Sequence, residues 1–280
     1  MTPRSIRADR PIDPITIDIL RAVAEEAQAQ QIDCMLVGAT ARDILLTHVF
    51  GMDTRRATYD VDFAVAVKDW DHFNSLRTAL IARGTFQAGT QQQHLNYQTQ
   101  YSDWPYHLDL VPFGGVSQGT NEVAWPPDMK IIMNVAGYDD VLAAAELVRF
   151  ASDFVGNVSL PGLAILKLVA WSDRGRTNPK DAQDLIGLMD SYTAAGNFDR
   201  VYDEESIIAA ADYDPDLAGV YLLGKDIRRV ASAGTIDVLN DIIDRDYDRL
   251  KREMARTMRY REDADNYVDQ RLRLLQQALA

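Results

Sequence analysis

The 280-residue chain has a single cysteine, four histidines and no long uninterrupted run of apolar residues. One cysteine cannot form an internal disulfide, and Cys34 lies in an apolar segment where a buried, inert thiol is expected. No segment has the roughly 20 consecutive apolar residues that span a bilayer. The N-terminal sequence MTPRSIRADRPIDP also lacks the apolar core of a secretory signal. These absences predict a cytoplasmic protein that makes no contact with membranes.

Basic residues are also in short supply, with 29 Lys and Arg against 42 Asp and Glu and a net charge of −13. A surface built broadly for nucleic acid needs clustered cations, so this balance argues against one, although it leaves room for a local basic patch. The charged C-terminal helix predicts a solvated face, or alternatively a contact with a tRNA acceptor, through Lys251, Arg252, Arg256, Arg259 and Arg261.

The spacing of apolar residues predicts an α+β protein with a mixed sheet, flanking helices and a C-terminal helical domain. We expect a flexible tail over 1–14, an α/β domain over 15–155 and the helical domain over 156–280. The expected helices are 15–31, the segment after Gly38, 70–83, 160–171, 179–192 and several between 204 and 279. The expected strands are 34–37, 60–67, 94–101 and 106–113, the last two forming a hairpin.

Three aspartates on two of these strands point to a metal site. Residues two apart on a strand share a face, so Asp60 and Asp62 should lie side by side while Val61 faces the core. Asp109 repeats the pattern in HLDLVP and would face the same side if its strand neighbours the first. Three carboxylates at this spacing suit Mg²⁺ or Mn²⁺. Taken alone, Asp60 and Asp62 are equally compatible with an exposed strand carrying solvated acids.

A glycine turn precedes this strand. In VGATARDILL, Gly38 ends one strand and opens a helix whose first backbone N–H groups can bind phosphate oxygens. Thr40 would add a hydroxyl donor. Arg42 would reach a phosphate or pair with Asp43, and the residues favour neither alternative.

The order of strand, Gly38 turn, helix, Asp-x-Asp strand and single-Asp strand resembles the nucleotidyltransferase superfamily that includes polymerase beta and the tRNA CCA-adding enzymes. The segment RRATYDVDFAV, with Arg56 and Thr58, is more specifically similar to AbiEii-type nucleotidyltransferases, which are toxins of bacterial toxin–antitoxin and phage-defence systems. The resemblance implies a catalytic domain over 15–155 that binds NTP, ATP among them. In it Gly38 is the phosphate-binding glycine and the metal-binding acids are Asp60, Asp62 and Asp109.

This sequence departs from the superfamily in two places. Ala39 occupies a position where glycine or serine is usual, which removes a hydroxyl or some backbone freedom. The gap from Gly38 to Asp60 is also longer than in the minimal pattern, and we expect TRRATY to fill it as an inserted loop.

A second group of charged residues follows in the helical domain. On spacing alone it is a solvated helix–loop–helix, in which Lys180 and Asp184 form an i,i+4 pair. The resemblance implies instead that Lys167 binds the triphosphate, and that Asp181 or Asp184 positions the acceptor or orients that lysine. The group that we assign to nucleotide binding is Lys167, Arg174, Lys180, Asp181 and Asp184.

Other side chains carry weaker signals. His94 and His107 lie on expected strands without a zinc-ligand pattern, so core or surface roles are expected. Four aromatic residues could stack on a base but are more typical of a core or its rim. They are Trp104, Tyr106, Trp125 and Tyr138.

The residues therefore predict a metal-dependent nucleotidyltransferase that moves an NMP from an NTP to an acceptor. RNA ends such as tRNA, a protein hydroxyl and a small molecule are all compatible acceptors, because the fold does not specify one. The resemblance implies a toxin with a cognate antitoxin protein. The alternatives are a catalytically inactive nucleotide- or partner-binding module, an antibiotic-modifying enzyme and a CCA-adding-like enzyme.

Overall fold

A computed structural model describes residues 3–53, 60–100, 106–150, 153–175 and 178–280. The chain divides into two compact units, Met1–Ser159 and Leu160–Ala280. This division lies close to the boundary expected between residues 155 and 156.

The first unit contains an eight-stranded mixed sheet with the strand order β1-β9-β10-β2-β3-β6-β5-β4, and β7 and β8 pair separately. The strands are β1 (Arg4–Ser5), β2 (Asp33–Val37), β3 (Asp60–Val67), β4 (Phe86–Ala88), β5 (His94–Tyr97), β6 (Tyr106–Gly114), β7 (Glu122–Ala124), β8 (Ile132–Asn134), β9 (Glu146–Phe150) and β10 (Asp153–Asn157).

Strand β3 lies in the interior of this sheet, antiparallel to β2 and parallel to β6. Its DVDFAVAV sequence alternates as a half-buried strand should, with Val61 and Phe63 almost fully buried. Leu108 and Leu110 of β6 are likewise fully buried. The apolar members of both strands therefore face the core, and the acidic members lie on the opposite face.

The helices of the first unit are α1 (Pro14–Ala29), α2 (Gly38–Asp43), α3 (Trp70–Ala82) and α4 (Tyr138–Ala143). The two long ones begin at aspartate caps: the Asp13 carboxylate accepts from the Thr16 backbone N–H at 2.9 Å, and Asp69 accepts from that of His72 at 2.8 Å. Each cap satisfies a donor that the helix itself cannot pair. The expected helices 15–31 and 70–83 are thus found with small shifts at their ends.

The second unit is helical throughout its described part. Its helices are α5 (Leu160–Arg174), α6 (Lys180–Ser191), α7 (Arg200–Asp203), α8 (Glu205–Ala210), α9 (Pro215–Val230), α10 (Ala233–Thr257) and α11 (Ala264–Leu279). None of the described helices combines the length and apolar character needed to cross a membrane.

A buried carboxylate connects several helices of the second unit. Asp226 of α9 accepts from the Tyr192 hydroxyl at 2.5 Å and pairs with both terminal nitrogens of Arg200 at 2.8 Å. Arg229 donates to the same carboxylate at 2.6 Å. One carboxylate thus accepts hydrogen bonds from three side chains. We call Asp226, Tyr192, Arg200 and Arg229 the Asp226 network.

The structure differs from the sequence-based expectations at several elements. Residues 4 and 5, expected in a flexible tail, form β1 and pair with β9. The helix after Gly38 changes at residue 44 into a π-helix, Ile44–Val49. Strand β5 ends at Tyr97 rather than at residue 101. The inserted segment TRRATY, residues 54–59, lies outside the described residues.

Candidate functional site

The strand register brings two of the three predicted metal-binding acids together. In the parallel pairing of β3 and β6, Asp62 lies directly opposite Asp109. Their apolar neighbours Phe63 and Leu110 are also paired and are fully buried. Both carboxylates therefore stand on the face of the sheet away from those side chains, as the alternation predicted.

Asp60 lies two residues before Asp62 on β3, where it is paired with His107 rather than with another acid. Among the described residues, no group of three or more His, Cys, Asp or Glu side chains is arranged to hold a metal ion. Asp60 therefore stays a predicted ligand, whereas Asp62 and Asp109 are paired across the two strands. Mg²⁺ is commonly held by one or two carboxylates together with substrate phosphates and water, and the oxygen donors of Asp62 and Asp109 fit that mode.

Gly38 sits against this pair. Its φ is +72°, a left-handed conformation that favours glycine. A Cβ built on Gly38 would lie 2.1 Å from Oδ2 and 2.8 Å from Cγ of Asp62. The glycine is thus required both by its backbone conformation and by the position of the Asp62 carboxylate.

The other residues of the glycine turn have structural partners. The Thr40 hydroxyl donates to the Asp60 carbonyl oxygen at 2.6 Å, and its side chain is buried. Arg42, also buried, pairs with Asp43 at 2.7 Å. The Thr40 hydroxyl therefore connects α2 to β3, and its phosphate role stays a prediction. Arg42 follows the Asp43 alternative.

The two histidines, for which core or surface roles are expected, are half-buried, and His94 contacts Asp109. The antiparallel pairing of β5 and β6 sets His94 opposite Asp109 and Asn96 opposite His107. His94 Nδ1 lies 2.6 Å from Asp109 Oδ1, and His94 Nε2 lies 3.0 Å from His107 Nδ1. Both contacts follow from the observed register, in which residue 94 pairs with residue 109, and the hairpin predicted from sequence did not specify that register.

In the second unit, the predicted cluster is present but differently paired. The Lys167 ammonium lies 3.1 Å from Asp181 and 2.6 Å from Asp184, and all three side chains are buried. Arg174 donates to both oxygens of Asp181, at 2.8 and 3.2 Å. Asp184 therefore pairs with Lys167, whereas the predicted partner Lys180 is exposed at the start of α6.

Electrostatics reinforce this cluster. Burial alone raises the pKa of Asp181, but the hydrogen bond from Arg174 and the charge of Lys167 outweigh it, so the pKa is lowered overall. Asp181 is consequently held as a carboxylate. Both acids contact the lysine, and which of them would orient it stays a prediction.

The remaining candidates are placed as follows. Arg56, Thr58 and Trp104 lie outside the described residues. Trp125 is buried and its ring centroid lies 5.3 Å from that of Trp70, while Tyr138 lies 5.5 Å from Phe113. Tyr106 is buried as well. The three aromatics that can be described are thus packing residues.

A family model identifies the chain's relatives. The model described as "Nucleotidyl transferase AbiEii toxin, Type IV TA system" matches residues 18–272. The match covers both units. No curated protein matches the chain significantly in sequence.

Several solved structures are similar to this chain at low sequence identity. An antigenic nucleotidyltransferase-like protein from Paracoccidioides brasiliensis is 14% identical, with 74% of this chain and 93% of that chain covered and a TM-score of 0.43. The antibiotic-resistance factor ANT(2'')-Ia is 13% identical over 72% and 92% of the two chains, with a TM-score of 0.39. A CCA-adding enzyme of Thermotoga maritima, solved with tRNA, is 11% identical over 93% and 70%, with a TM-score of 0.26.

Proposed function

Because this chain belongs to the AbiEii family of nucleotidyl transferase toxins, we propose that it transfers an NMP from an NTP to an acceptor in a reaction that depends on Mg²⁺ or Mn²⁺. The observation that carries the proposal is the pairing of Asp62 with Asp109 beside Gly38. Two carboxylates placed side by side repel one another, and a divalent cation relieves that repulsion.

Asp62 and Asp109 hold the ion, with Asp60 as the third acid of the proposed set. When bound, the ion supplies charge neutralisation at the phosphates and activation of the attacking hydroxyl. Phosphoryl transfer of this kind requires positioning and electrostatic stabilisation rather than a covalent nucleophile on the protein. Gly38 leaves the space in which the Asp62 carboxylate stands.

Backbone amides of the glycine turn are the proposed phosphate ligands on the first unit. Val37 precedes α2 and its apolar side chain cannot cap the helix. The Thr40 hydroxyl is already donated to Asp60. The N–H groups of Gly38 and Ala39 are therefore the donors that we assign to the triphosphate.

In the second unit, we assign triphosphate binding to the Lys167 cluster, namely Lys167, Arg174, Lys180, Asp181 and Asp184. The Arg174 side chain is 57% exposed while that of Lys167 is 9% exposed. Arg174 is thus a cation that can meet a ligand, as is the exposed Lys180. Lys167 neutralises Asp181 and Asp184, and Asp181 in turn holds Arg174.

We propose a toxin role with a cognate antitoxin protein, and three acceptor classes: an RNA end such as that of tRNA, a protein hydroxyl, and a cationic small molecule. The net charge of −13 disfavours a broad RNA surface. Expression from an inducible promoter should arrest growth in the wild type and not in Asp62→Asn, and co-expression of a neighbouring antitoxin gene should restore growth.

The activity is tested by incubating the full chain and Mg²⁺ with each α-labelled NTP and, in separate reactions, total RNA, cell extract or an aminoglycoside panel. We expect label in one acceptor class with the wild type and a loss of at least about 100-fold in Asp62→Asn, because metal-held charge stabilisation supplies several kcal/mol. Asp71→Asn, an exposed acid in the first turn of α3, is the matched control. Equal labelling by wild type and Asp62→Asn would mean that the label does not come from the Asp62 site. No label in any reaction would leave the inactive binding module as the better description.

A further inference from the structure

His94 has no part in the proposed function, yet it contacts one of the proposed metal-binding acids. Its Nδ1 is 2.6 Å from Asp109 Oδ1, at side-chain exposures of 26% and 36%. Because the two residues are paired in the ladder of β5 and β6, their side chains leave the sheet on the same face. The contact therefore follows from the strand register.

The direction of the hydrogen bonds can be deduced from the groups involved. An ionised Asp109 accepts only, so His94 Nδ1–H donates to it and His94 Nε2 becomes an acceptor. The single His107 Nδ1–H is then shared between two acceptors, His94 Nε2 at 3.0 Å and Asn96 Oδ1 at 2.9 Å. We call Asn96, His107, His94 and Asp109 the His94 network. In this arrangement the proton on His94 lies on the nitrogen that faces Asp109.

Packing also fixes the His94 ring. A Cβ placed on Gly89 would lie 2.6 Å from His94 Cδ2 and 2.9 Å from its carbonyl oxygen. The Gly89 N–H donates to that carbonyl at 2.9 Å, and the His107 ring centroid lies 4.7 Å away. The Gly89 backbone and the His107 ring therefore leave the His94 imidazole little room to rotate.

We propose that His94 is a positioning residue for Asp109, committing Oδ1 to the protein and so setting the orientation in which the carboxylate meets a divalent cation. This inference rests on the proposed function, because it needs Asp62 and Asp109 to bind the ion. Carboxylates that bind metals are usually themselves held by hydrogen bonds, and losing such a partner costs about 10- to 100-fold in metal affinity.

The test is a Mn²⁺ titration of the full-length protein, read from the electron paramagnetic resonance signal of free Mn²⁺. We expect His94→Ala to weaken the Asp62-dependent binding by about tenfold or more. His94→Asn should recover most of the affinity, because its amide nitrogen can donate from near the position of Nδ1. The control His72→Ala, which removes an imidazole of α3 bound to the Gln30 carbonyl, should bind as the wild type does.

A second variant and a second measurement keep the result interpretable if His94→Ala folds poorly. Gly89→Ala retains the imidazole but displaces it, and should also weaken Mn²⁺ binding. In the metal-free protein, ¹⁵N chemical shifts should show His94 protonated at Nδ1. A purely structural role would lower the melting temperature without the recovery by asparagine.

The outcomes separate the two proposals. If Asp62→Asn abolishes the Mn²⁺ site while His94→Ala and Gly89→Ala bind as the wild type does, the role of His94 is wrong and the proposed function stands. A His94 ring protonated at Nε2 alone would also overturn that role. If Asp62→Asn binds Mn²⁺ as well as the wild type does, the proposed metal site is wrong, and the inference about His94 is lost with it.

Discussion

At Gly38, a missing side chain is the feature that shapes the candidate site. Gly38→Ala places a methyl group 2.1 Å from Asp62 Oδ2 on a backbone with φ of +72°. We expect nucleotide transfer and Mn²⁺ binding to fall at least about 10-fold, as for other losses of support around a metal ligand. The left-handed backbone adds about 1 kcal/mol of destabilisation. Labelled-NTP assays and Mn²⁺ titration measure the first effect, and thermal unfolding measures the second.

Gly84→Ala is the matched control for this prediction. Gly84 has a φ of +79°, but a Cβ there would have nothing within 4 Å. It should therefore lose similar stability and keep full activity. If both variants lose activity equally, backbone strain rather than the Asp62 contact explains the effect, and the role assigned to Gly38 is wrong.

At the scale of single residues, the sequence predicts the face on which a side chain lies wherever the strand period determines it. Alternation alone assigned the faces of Asp60, Asp62 and Asp109. It gave no partner for the His94 imidazole or the Thr40 hydroxyl, since these partners are set by strand register and by the contact of α2 with β3. Such contacts join residues far apart in sequence, and no local pattern encodes them.

At the scale of the elements, the buried Lys167 of α5 pairs with Asp181 and Asp184 of α6. Lys167→Met should destabilise the protein by about 3 kcal/mol, because removing one partner of a buried ion pair leaves charge behind. Asp184 then lies in the same surroundings without the ammonium that is 2.6 Å away in the wild type. Urea unfolding monitored by circular dichroism measures the change in free energy.

The double variant Lys167→Met with Asp184→Asn should recover at least about 1 kcal/mol of this loss, as coupled neighbours do. Lys180→Met, at an exposed position of α6, should change stability by no more than about 0.5 kcal/mol. Strictly additive effects of Lys167→Met and Asp184→Asn would show that this ion pair does not hold the two helices.

The same division between local and non-local signals holds for whole elements. Strand β3 was predicted with its observed ends, 60–67, because eight residues of clean alternation and an acidic start define it. The hairpin of β9 and β10 was not predicted as such, since Glu146–Phe150 and Asp153–Asn157 are short and contain charged or glycine positions. Pairing with each other and with β1 and β2 stabilises them.

For the molecule as a whole, the sequence pattern changes near residue 155, where strand alternation gives way to helical spacing. The division found at Ser159 and Leu160 follows the end of β10. The metal site predicted for the first unit stays a prediction, since among the described residues no group of three or more His, Cys, Asp or Glu side chains is arranged to hold an ion.

Acid should destabilise the second unit through its buried carboxylates. Burial raises the pKa of Asp226, but the hydrogen bonds from Arg200 and Tyr192 outweigh it and the pKa lies below its ordinary value of 3.8. The pKa of Asp181 is lowered in the same sense. A lowered pKa in the folded state means that this stabilisation is complete above about 3.8 and is lost as the pH falls through the folded-state value.

Asp226→Asn tests this account on the intact chain. At pH 6 we expect it to lower the free energy of unfolding by about 2 kcal/mol, at the low end for a buried pair because Arg200 is 38% exposed. As the pH falls below 3.8, wild-type Asp226 takes up a proton and the gap between the two proteins should close. Calorimetric unfolding between about pH 2 and about pH 6 measures this difference in the free energy of unfolding.

The matched control is Asp216→Asn, at an exposed acid in the first turn of α9. It should change the free energy of unfolding by at most about 0.5 kcal/mol at any pH. A gap that stays constant down to the lowest pH would mean that Asp226 does not stabilise the fold through its charge.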